Sequence, residues 1–375
     1  MTEGRLKILI GGGGTGGHVF PAIAIADALK EIDASAEILF VGARHKMEME
    51  RVPAAGYSII GLPVTGFQRR VTVKNLLFFF NLLASMVRSH KILNRFRPDV
   101  VVGVGGYASG PVARAAASKG IPLLIQEQNS FAGVTNRMLG KHAKRICVAW
   151  EGMERYFQAD KIVLTGNPVR RGLQGSSAGR SEAAARFGVG GKGKVLLVTG
   201  GSLGAGSINR SIIENFGLIR DNGIELIWQT GKAGYTDAVT LVEKNGLEKF
   251  FVYEFIREMD LAYAVADAVI ARAGAVTLSE LCVAGKPAIL VPSPNVAEDH
   301  QTKNAMTLAE RDAAVVIPDR EAVKQLVPEA VSLLNDSMRL ERLSINISAL
   351  ARPDAARKIA EEVLKLVNEQ DAGYR

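Results

Sequence analysis

Two glycine-rich segments offer the most readily recognised chemistry in this chain, the binding of an anion by backbone amides. Residues 11–17 (GGGGTGG) follow an apolar run and lead into His18, and residues 200–206 (GGSLGAG) follow another and carry the hydroxyl of Ser202. Amides at a helix start attract phosphate because they point outward and the helix dipole adds positive potential. We therefore expect two anion sites, which would suit two substrates that each carry a diphosphate. The alternative is that the glycines serve only tight helix packing.

The first glycine loop also matches the G-x-G-x-x-G pattern of nicotinamide enzymes. Such enzymes place an acidic residue at the end of the second strand for the ribose hydroxyls. The second apolar run here ends in Val41, Gly42 and Ala43, with no acid at that point, so a dinucleotide site is disfavoured. Residues 188–195 (GVGGKGKV) resemble a phosphate loop by chance only, since they lack its Ser or Thr and precede their strand.

The elements that position these loops are short apolar runs alternating with helical patterns. Runs of this kind, followed by a loop and a helix, indicate an α/β fold with doubly wound parallel sheets. A stretch of low hydrophobicity at 173–193 precedes a restart of the pattern, so we expect two domains, 1–165 and 166–354, with the helix at 355–375 returning to the first. The predicted strands are 6–10, 36–41, 99–104, 121–126 and 145–149 in the first domain, and 194–199, 225–229, 250–253, 268–271 and 288–291 in the second.

Composition narrows the class of protein. The 375 residues carry 46 Lys and Arg against 38 Asp and Glu, a formal net charge of +8 that should attract anionic partners. The two cysteines, Cys147 and Cys282, lie far apart in apolar contexts, which favours a reducing cytoplasm over a disulfide or metal framework. No signal-peptide pattern is visible at the N-terminus, and the longest apolar stretch, 76–87, is too short to span a bilayer.

Eight motifs in order give the chain a close resemblance to the MurG family of glycosyltransferases. The motifs are GGTGGH at 13–18, GVGGYASGP at 103–111, QEQNS at 126–130, GNPVR at 166–170, GGSLGA at 200–205, EFI at 254–256, RAGAVTLSE at 272–280 and DHQTKNA at 299–305. The resemblance implies a GT-B fold, in which two Rossmann-like domains face a central cleft. It also implies an inverting transfer of N-acetylglucosamine from its UDP donor to the muramic acid 4-hydroxyl of lipid I, forming lipid II.

Further expectations about partners come from the same resemblance. The protein would bind UDP-N-acetylglucosamine, lipid I and the anionic cytoplasmic face of the membrane, as a peripheral protein without a cofactor. No Asp-x-Asp pair stands in a convincing loop, so we expect no metal at the leaving UDP. Nucleic acid is disfavoured, because no base-reading module accompanies the basic residues. Two alternatives stay open: a soluble GT-B transferase with another nucleotide sugar or acceptor, and a non-catalytic nucleotide-sugar binding protein.

The family's donor residues map onto the second half of the chain. Glu280 would accept hydrogen bonds from the ribose diol, and we expect it in the first turn of a helix, where an acid suits the dipole. A favourable N-terminal charge alone is its alternative role. The remaining mapped positions are Ile256 for uracil, Ser202 and the amides of Ala275, Val276 and Thr277 for the diphosphate, Leu278 and Ser279 as further substrate-binding residues, Arg170 as a nearby cation, and Gln301, His300 and Asn129 for the sugar.

The acceptor side maps onto the first glycine loop, where Thr15, Gly16 and Gly17 would contact diphosphate. Inversion without a covalent intermediate needs one base for the attacking hydroxyl. His18 is the candidate, since a neutral imidazole accepts a proton near neutral pH; it could instead only bind substrate or cap the loop. Glu127 is the second candidate, with fixing of the backbone as its alternative role. Leu203 departs from the family, which commonly has Gln there, so a side-chain amide contact to diphosphate is absent.

A basic and aromatic segment at 67–97 predicts contact with anionic lipid. Apolar side chains with a cationic rim suit a membrane interface, although a core helix with polar flanks would give a similar pattern. The apolar members are Leu76, Leu77, Phe78, Phe79, Phe80, Leu82, Leu83 and Met86, and the basic members are Arg69, Arg70, Lys74, Arg88, Lys91, Arg95 and Arg97.

Overall fold

The computed structural model describes residues 5–64, 73–174, 179–190 and 193–373. The chain divides into two compact units, one formed by Met1–Val169 with Asp354–Arg375 and the other by Arg170–Pro353. Each unit is an α/β structure built on one parallel sheet. The predicted α/β class with doubly wound parallel sheets is therefore confirmed. Arg69 and Arg70 of the predicted lipid-binding segment lie outside the described residues.

The first unit has a sheet with the strand order β3-β2-β1-β4-β5-β6-β7 in the described part of the chain. The central strands are buried on both faces, which explains their nearly continuous apolar sequences. The strands are β1 (Lys7–Gly11), β2 (Glu37–Ala43), β3 (Ser58–Leu62), β4 (Val100–Gly103), β5 (Leu123–Glu127), β6 (Arg145–Val148) and β7 (Ile162–Leu164).

Six helices cover this sheet in the described residues. They are α1 (Gly16–Ile32), α2 (Glu48–Ala54), α3 (Val73–Phe96), α4 (Ser109–Ser118), α5 (Val134–Gly140) and, from the far end of the chain, α14 (Ala355–Gly373). The apolar face of α14 presents Ile359, Val363 and Leu366 to the core that contains β1 and α1. Arg145 at the start of β6 pairs with Glu369 of α14 at 2.7 Å. The C-terminal helix is thus part of the first unit's core.

The second unit repeats the arrangement with the order β10-β9-β8-β11-β12-β13. Its core lies between the sheet and helices that include α7 and α12. The strands are β8 (Val195–Thr199), β9 (Glu225–Gln229), β10 (Phe250–Tyr253), β11 (Ala268–Ala271), β12 (Ala288–Leu290) and β13 (Val315–Val316); the helices are α6 (Arg180–Phe187), α7 (Gly206–Asp221), α8 (Tyr235–Asn245), α9 (Met259–Val265), α10 (Ala275–Ala284), α11 (His300–Ala309), α12 (Ala322–Asn335) and α13 (Ser337–Ala349).

In each sheet the chain adds strands first on one side of the first strand and then on the other. Each glycine loop follows that first strand, β1 or β8. The loops after β1 and β4 lie side by side in the first unit, and those after β8 and β11 do so in the second. Ligands of such sheets bind at the carboxyl ends of the strands at this switch point. The two candidate anion sites are therefore at the expected edge of each sheet.

Most predicted strands correspond closely to observed ones, but three were not predicted. β3 contains Ser58 and Gly61, and β7 and β13 are only three and two residues long, so none has a long apolar run. Helix α1 begins at Gly16, five residues before Pro21, where its helical pattern starts. Pro21 lies in the second turn, where it cannot donate to the carbonyl of Gly17, and the helix continues through it. Gly16, Gly17 and His18 are consequently helical.

Candidate active site

The glycine loop of the first unit packs backbone against backbone on the loop that follows β4. The amide of Gly13 donates to the carbonyl of Gly105 at 3.3 Å. Gly106 has φ +81°, and a Cβ there would overlap the carbonyl oxygen of Gly13. Only glycine permits this approach, so the motifs at 13–18 and 103–111 form one structural unit.

The buried carboxylate of Glu48 fixes the backbone of this loop. Its Oε2 accepts from the amide of Gly14 and its Oε1 from the amide of Ala43, each at 2.9 Å, and the residue is only 1% exposed. The sequence has no acid at the end of β2, and Glu48 follows the strand by five residues at the start of α2. An acid is present there, but its oxygens bind the loop backbone and are withdrawn from solvent.

His18 lies in the first turn of α1 with its ring against Gly105. Its Nδ1 is 3.1 Å from Oγ1 of Thr15, the residue that precedes the helix. A Cβ on Gly105 would come within 2.9 Å of Nε2, so the glycine makes room for the ring. In the tautomer with the proton on Nδ1, the Thr15 hydroxyl accepts it and Nε2 keeps its lone pair. The structure thus joins two predicted residues in an arrangement suited to a base.

Glu127 ends β5 and is 1% exposed. Its Oε1 accepts from the backbone and side-chain amides of Asn129 at 3.0 and 3.2 Å, and its Oε2 from Gly133 N at 3.1 Å and Asn136 Nδ2 at 2.9 Å. Burial raises the pKa of Glu127, and these hydrogen bonds oppose that rise. A carboxylate whose two oxygens serve the loop at 127–136 fixes the backbone, which favours the alternative role over that of a base.

Buried amides support the same edge of the first sheet. Gln126 Nε2 donates to Asn167 Oδ1 at 2.9 Å, and Asn167 Nδ2 donates to the carbonyl of Gln128 at 3.0 Å. Gln128 Nε2 in turn donates to the carbonyl of Val104 at 2.7 Å. The sequence predicts roles for Glu127 and Asn129 of QEQNS, but none for Gln126, Gln128 or the Asn of GNPVR. Here they tie β5 to the loop after β4 and to the segment after β7.

The glycine loop of the second unit is fixed by neutral side chains. Gly201 donates its amide to Thr199 Oγ1 at 3.2 Å, and Gln229 Nε2 donates to the carbonyl of Gly201 at 3.0 Å. Gly204 has φ +79°, and a Cβ there would overlap the carbonyl oxygen of Thr230. Ser202 and Leu203 lie at the exposed tip, Leu203 with 88% of its surface exposed.

Helix α10 begins beside this loop, immediately after β11. Its first intrahelical bond runs from Leu278 N to the carbonyl of Gly274 at 3.0 Å, so the amides of Ala275, Val276 and Thr277 precede the helical ladder. Leu278 was predicted to bind substrate, but its side chain is fully buried and its amide is used in the helix. Ser279 Oγ donates to the carbonyl of Ala275 at 3.2 Å. The candidate diphosphate contacts of this segment are therefore reduced to its first three amides.

Glu280 lies in the second turn of α10, which corrects the expectation that it is in the first. The helix begins at Ala275, so the carboxylate is beyond the reach of a first-turn dipole effect. Arg170 Nε donates to its Oε1 at 2.7 Å and the Tyr263 hydroxyl to its Oε2 at 3.3 Å. Burial, to 3% exposure, raises the pKa of Glu280, while Arg170 opposes the rise. Two predicted residues, Arg170 and Glu280, are thus in direct contact.

Two further predicted residues are partly engaged by the protein itself. The amide of Ile256 donates to Gln229 Oε1 at 2.8 Å. A uracil ring held at Ile256 would therefore bind the carbonyl of Ile256 or replace this hydrogen bond. Gln301 Oε1 accepts from Ser293 N at 2.8 Å, which directs the amide group of Gln301 toward the loop after β12. His300 is the first residue of α11, beside Gln301.

Arg272 is the first residue of the motif RAGAVTLSE, and the sequence predicts no role for it. Its Nη1 donates to Asp319 Oδ1 at 2.5 Å and to the carbonyl of Val291 at 3.0 Å, and its Nη2 donates to Ser207 Oγ at 3.0 Å. Ser207 is the second residue of α7, and Arg272 precedes α10. The guanidinium therefore joins the two helix starts that flank the candidate diphosphate site.

Helix α3 carries exposed aromatic side chains on one face. Phe79, Phe80 and Leu83 are 60–65% exposed, and Val87 follows one turn later; we call these four residues the apolar face of α3. Ile92 and Leu93, farther along, are buried in the core, so the helix is part core and part surface. The side chains of Lys74, Leu76 and Leu77 lie outside the described residues. No helix among the described residues is long and apolar enough to cross a membrane.

Comparison with known proteins gives matches along nearly the whole chain. Residues 8–148 match the glycosyltransferase family 28 N-terminal domain and residues 195–359 its C-terminal domain. The "UDP-N-acetylglucosamine–N-acetylmuramyl-(pentapeptide) pyrophosphoryl-undecaprenol N-acetylglucosamine transferase" of Parabacteroides distasonis is 52% identical over 98% of this chain and 100% of its own. The Bacteroides fragilis protein of the same name is 51% identical over 97% and 96%.

Among solved structures, the crystal structure of Acinetobacter baumannii MurG is similar to this chain. Its TM-score is 0.77 at 27% identity, covering 96% of this chain and 100% of the other. Together with the two parallel sheets, this likeness confirms the predicted GT-B fold class.

Proposed function

We propose that this chain, which belongs to glycosyltransferase family 28, transfers N-acetylglucosamine from UDP-N-acetylglucosamine to lipid I and so forms lipid II. The names of relatives at 51–52% identity along the full length support this reaction. The structural observation that carries the proposal is the group formed by Glu280, Arg170 and the start of α10 in the second unit. A buried carboxylate, a guanidinium and outward-pointing amides together match the ribose and diphosphate of a nucleotide.

The donor is assigned to the second unit. Glu280 accepts hydrogen bonds from the ribose hydroxyls, because each carboxylate oxygen has a lone pair beyond those used by Arg170 and Tyr263. The amides of Ala275, Val276 and Thr277 and the Ser202 hydroxyl face the diphosphate, and the carbonyl of Ile256 serves the uracil. Arg170 uses Nε for Glu280, which leaves its two Nη groups to bind phosphate oxygens. Gln301, with His300 beside it, holds the sugar.

The acceptor is assigned to the first unit, at Thr15, Gly16, Gly17 and His18. The His18 Nε2 accepts the proton of the muramic acid 4-hydroxyl while the oxygen of that hydroxyl forms a bond to C1 of N-acetylglucosamine. The bond from C1 to the β-phosphate oxygen breaks on the opposite side, which inverts the anomeric carbon and releases UDP. The amides at the start of α10 and the Arg170 guanidinium stabilise the charge that develops on the leaving phosphate. Asn129 contacts the transferred sugar.

Attachment to the cytoplasmic face of the membrane completes the proposal. A polyprenyl acceptor remains in the bilayer, so the enzyme must approach the lipid surface. The apolar face of α3 and the basic residues Lys91 and Arg95 on the same helix are exposed. Aromatic insertion beside basic groups is a common basis for peripheral binding to anionic lipid.

Release of UDP from UDP-N-acetylglucosamine tests the reaction directly, with a short-chain lipid I analogue as acceptor. We expect stoichiometric release of UDP and formation of the disaccharide product only when both substrates are present. Release with other acceptors but not with the lipid I analogue would identify a different GT-B transferase. Tight binding of the donor without release of UDP would identify a binding protein.

A further inference from the structure

Tyr263 is a buried phenol in contact with the carboxylate assigned to ribose. It lies in α9, is 1% exposed, and donates its hydroxyl proton to Glu280 Oε2 at 3.3 Å. None of the sequence motifs includes Tyr263. A buried hydroxyl needs a hydrogen-bond partner, and a buried carboxylate needs donors, so each group satisfies the other.

The orientation of the Glu280 carboxylate decides whether it can serve two vicinal hydroxyls. Both oxygens must face the diol, yet the terminal torsion of a glutamate has a broad energy minimum and does not fix them. Arg170 holds Oε1, but 47% of its side chain is exposed. Tyr263 holds Oε2 from a ring that packs in the interior. The phenol is therefore the rigid member of the pair that orients the carboxylate.

We infer that Tyr263 is a positioning residue that gives the nucleotide site its preference for ribose over 2′-deoxyribose. The inference rests on the proposed function, since it takes the nucleotide to be a uridine diphosphate held by Glu280. Without the phenolic bond the carboxylate rotates among several orientations. It then meets the 2′- and 3′-hydroxyls together for only part of the time, and the benefit of the 2′-hydroxyl falls.

Calorimetric titration with UDP and with 2′-deoxy-UDP measures this preference in the full-length protein. We expect the wild type to bind UDP about tenfold more tightly, as befits a hydrogen bond to a charged group. In Tyr263→Phe, which removes only the hydroxyl, the preference should fall to about twofold. Tyr57→Phe is the matched control, because Tyr57 donates to Asp27 Oδ1 at 2.7 Å in the other unit. It should keep the tenfold preference.

The ratio of the two affinities separates a positioning role from a purely structural one. Loss of packing would weaken both ligands equally and leave the ratio unchanged, so an unchanged ratio in Tyr263→Phe overturns the inference. In a Glu280→Gln background, addition of Tyr263→Phe should have no further effect on the ratio. A further drop there would also overturn it.

Failure of the proposed function has a different signature. A wild type that binds neither nucleotide, or binds both equally, contradicts the assignment of the ribose to Glu280 and not the role of Tyr263 alone. Should Tyr263→Phe fail to fold, Tyr263→His keeps a ring and a donor. It should retain a preference between twofold and tenfold, and a full tenfold preference in a variant with a displaced donor would count against the inference.

Discussion

The two glycine loops have similar sequences but are fixed by side chains of different charge. In the first unit the carboxylate of Glu48 accepts from the amide of Gly14 beneath the loop. In the second unit two neutral side chains hold the backbone of Gly201: Thr199 accepts from its amide and Gln229 donates to its carbonyl. One loop amide is occupied in each unit, but only the first unit places a buried negative charge there, which opposes a diphosphate nearby. The loop of the second unit is therefore the better diphosphate cradle, which supports placing the nucleotide there.

The comparison also shows that a glycine motif alone does not define its ligand. In each unit the loop contains, or lies against, a glycine whose Cβ would overlap a neighbouring backbone carbonyl, so the backbone requirement is similar. The difference lies in groups outside the motif. In the second unit the start of α10, Arg170 and Glu280 offer partners for a nucleotide, whereas in the first unit His18 offers a proton acceptor.

The largest effect should follow from removal of this proton acceptor. We expect His18→Ala to lower kcat by about 10²-fold or more, with UDP affinity unchanged because the proposed nucleotide site is in the other unit. The pH profile of kcat should also lose its acidic limb. Glu127→Gln is the comparison variant: it should keep that limb. If Glu127→Gln abolished the limb and His18→Ala retained it, the assignment of the base would be reversed.

The charged support of the first loop should matter for stability. Glu48→Ala leaves the amides of Gly14 and Ala43 without their acceptor, and we expect the free energy of unfolding to fall by about 3 kcal/mol. Urea denaturation measures this loss. Glu50→Ala, an exposed acid on the same helix, should change stability by less than about 0.5 kcal/mol. Equal effects of the two variants would show that the bonds of Glu48 do not fix the loop.

Membrane attachment should depend on the first unit alone. The double variant Phe79→Ser and Phe80→Ser should reduce partitioning onto anionic vesicles by about tenfold, because two half-exposed aromatic rings no longer insert. Sedimentation with vesicles measures the bound fraction. Met338→Ser, an exposed apolar residue on α13 of the second unit, is the control and should bind as the wild type does. Vesicle binding unaffected by the double variant would remove the apolar face of α3 from the proposal.

The smallest effect concerns the pH dependence of donor binding. In the proposed site UDP binds to an ionised Glu280, whose pKa is raised by burial, so affinity should fall as the pH drops through a value above that of an ordinary glutamate. Arg170 favours the ionised form, and Arg170→Gln should therefore move this midpoint to higher pH. Arg320→Gln, at an exposed arginine of the same unit, should leave it in place. A midpoint that moved to lower pH would contradict the contact between Arg170 and Glu280.

Local sequence patterns predicted much of the fold, but they could not predict hydrogen bonds between residues that are far apart in sequence. The buried parallel strands show as apolar runs, and the glycine loops lie at the ends of those runs because the backbone packing demands it. Glu48, Tyr263 and the partners of Arg272 were missed, since hydrogen bonds such as Arg272 to Asp319 join residues far apart in sequence. The prediction that Glu280 lies in the first turn was wrong for a local reason. Helix α10 begins directly after Gly274, and apolar periodicity does not predict the first residue of a helix exactly.

The position of α14 has a consequence for synthesis on the ribosome. Residues 170–353 are contiguous, so the second unit can fold as soon as they have emerged. The first unit, although begun earlier, lacks Ile359, Val363 and Leu366 until the whole second unit has been synthesised. Until then the apolar residues of β1 and α1 that contact α14 stay uncovered, and transiently exposed apolar surface of this kind favours aggregation.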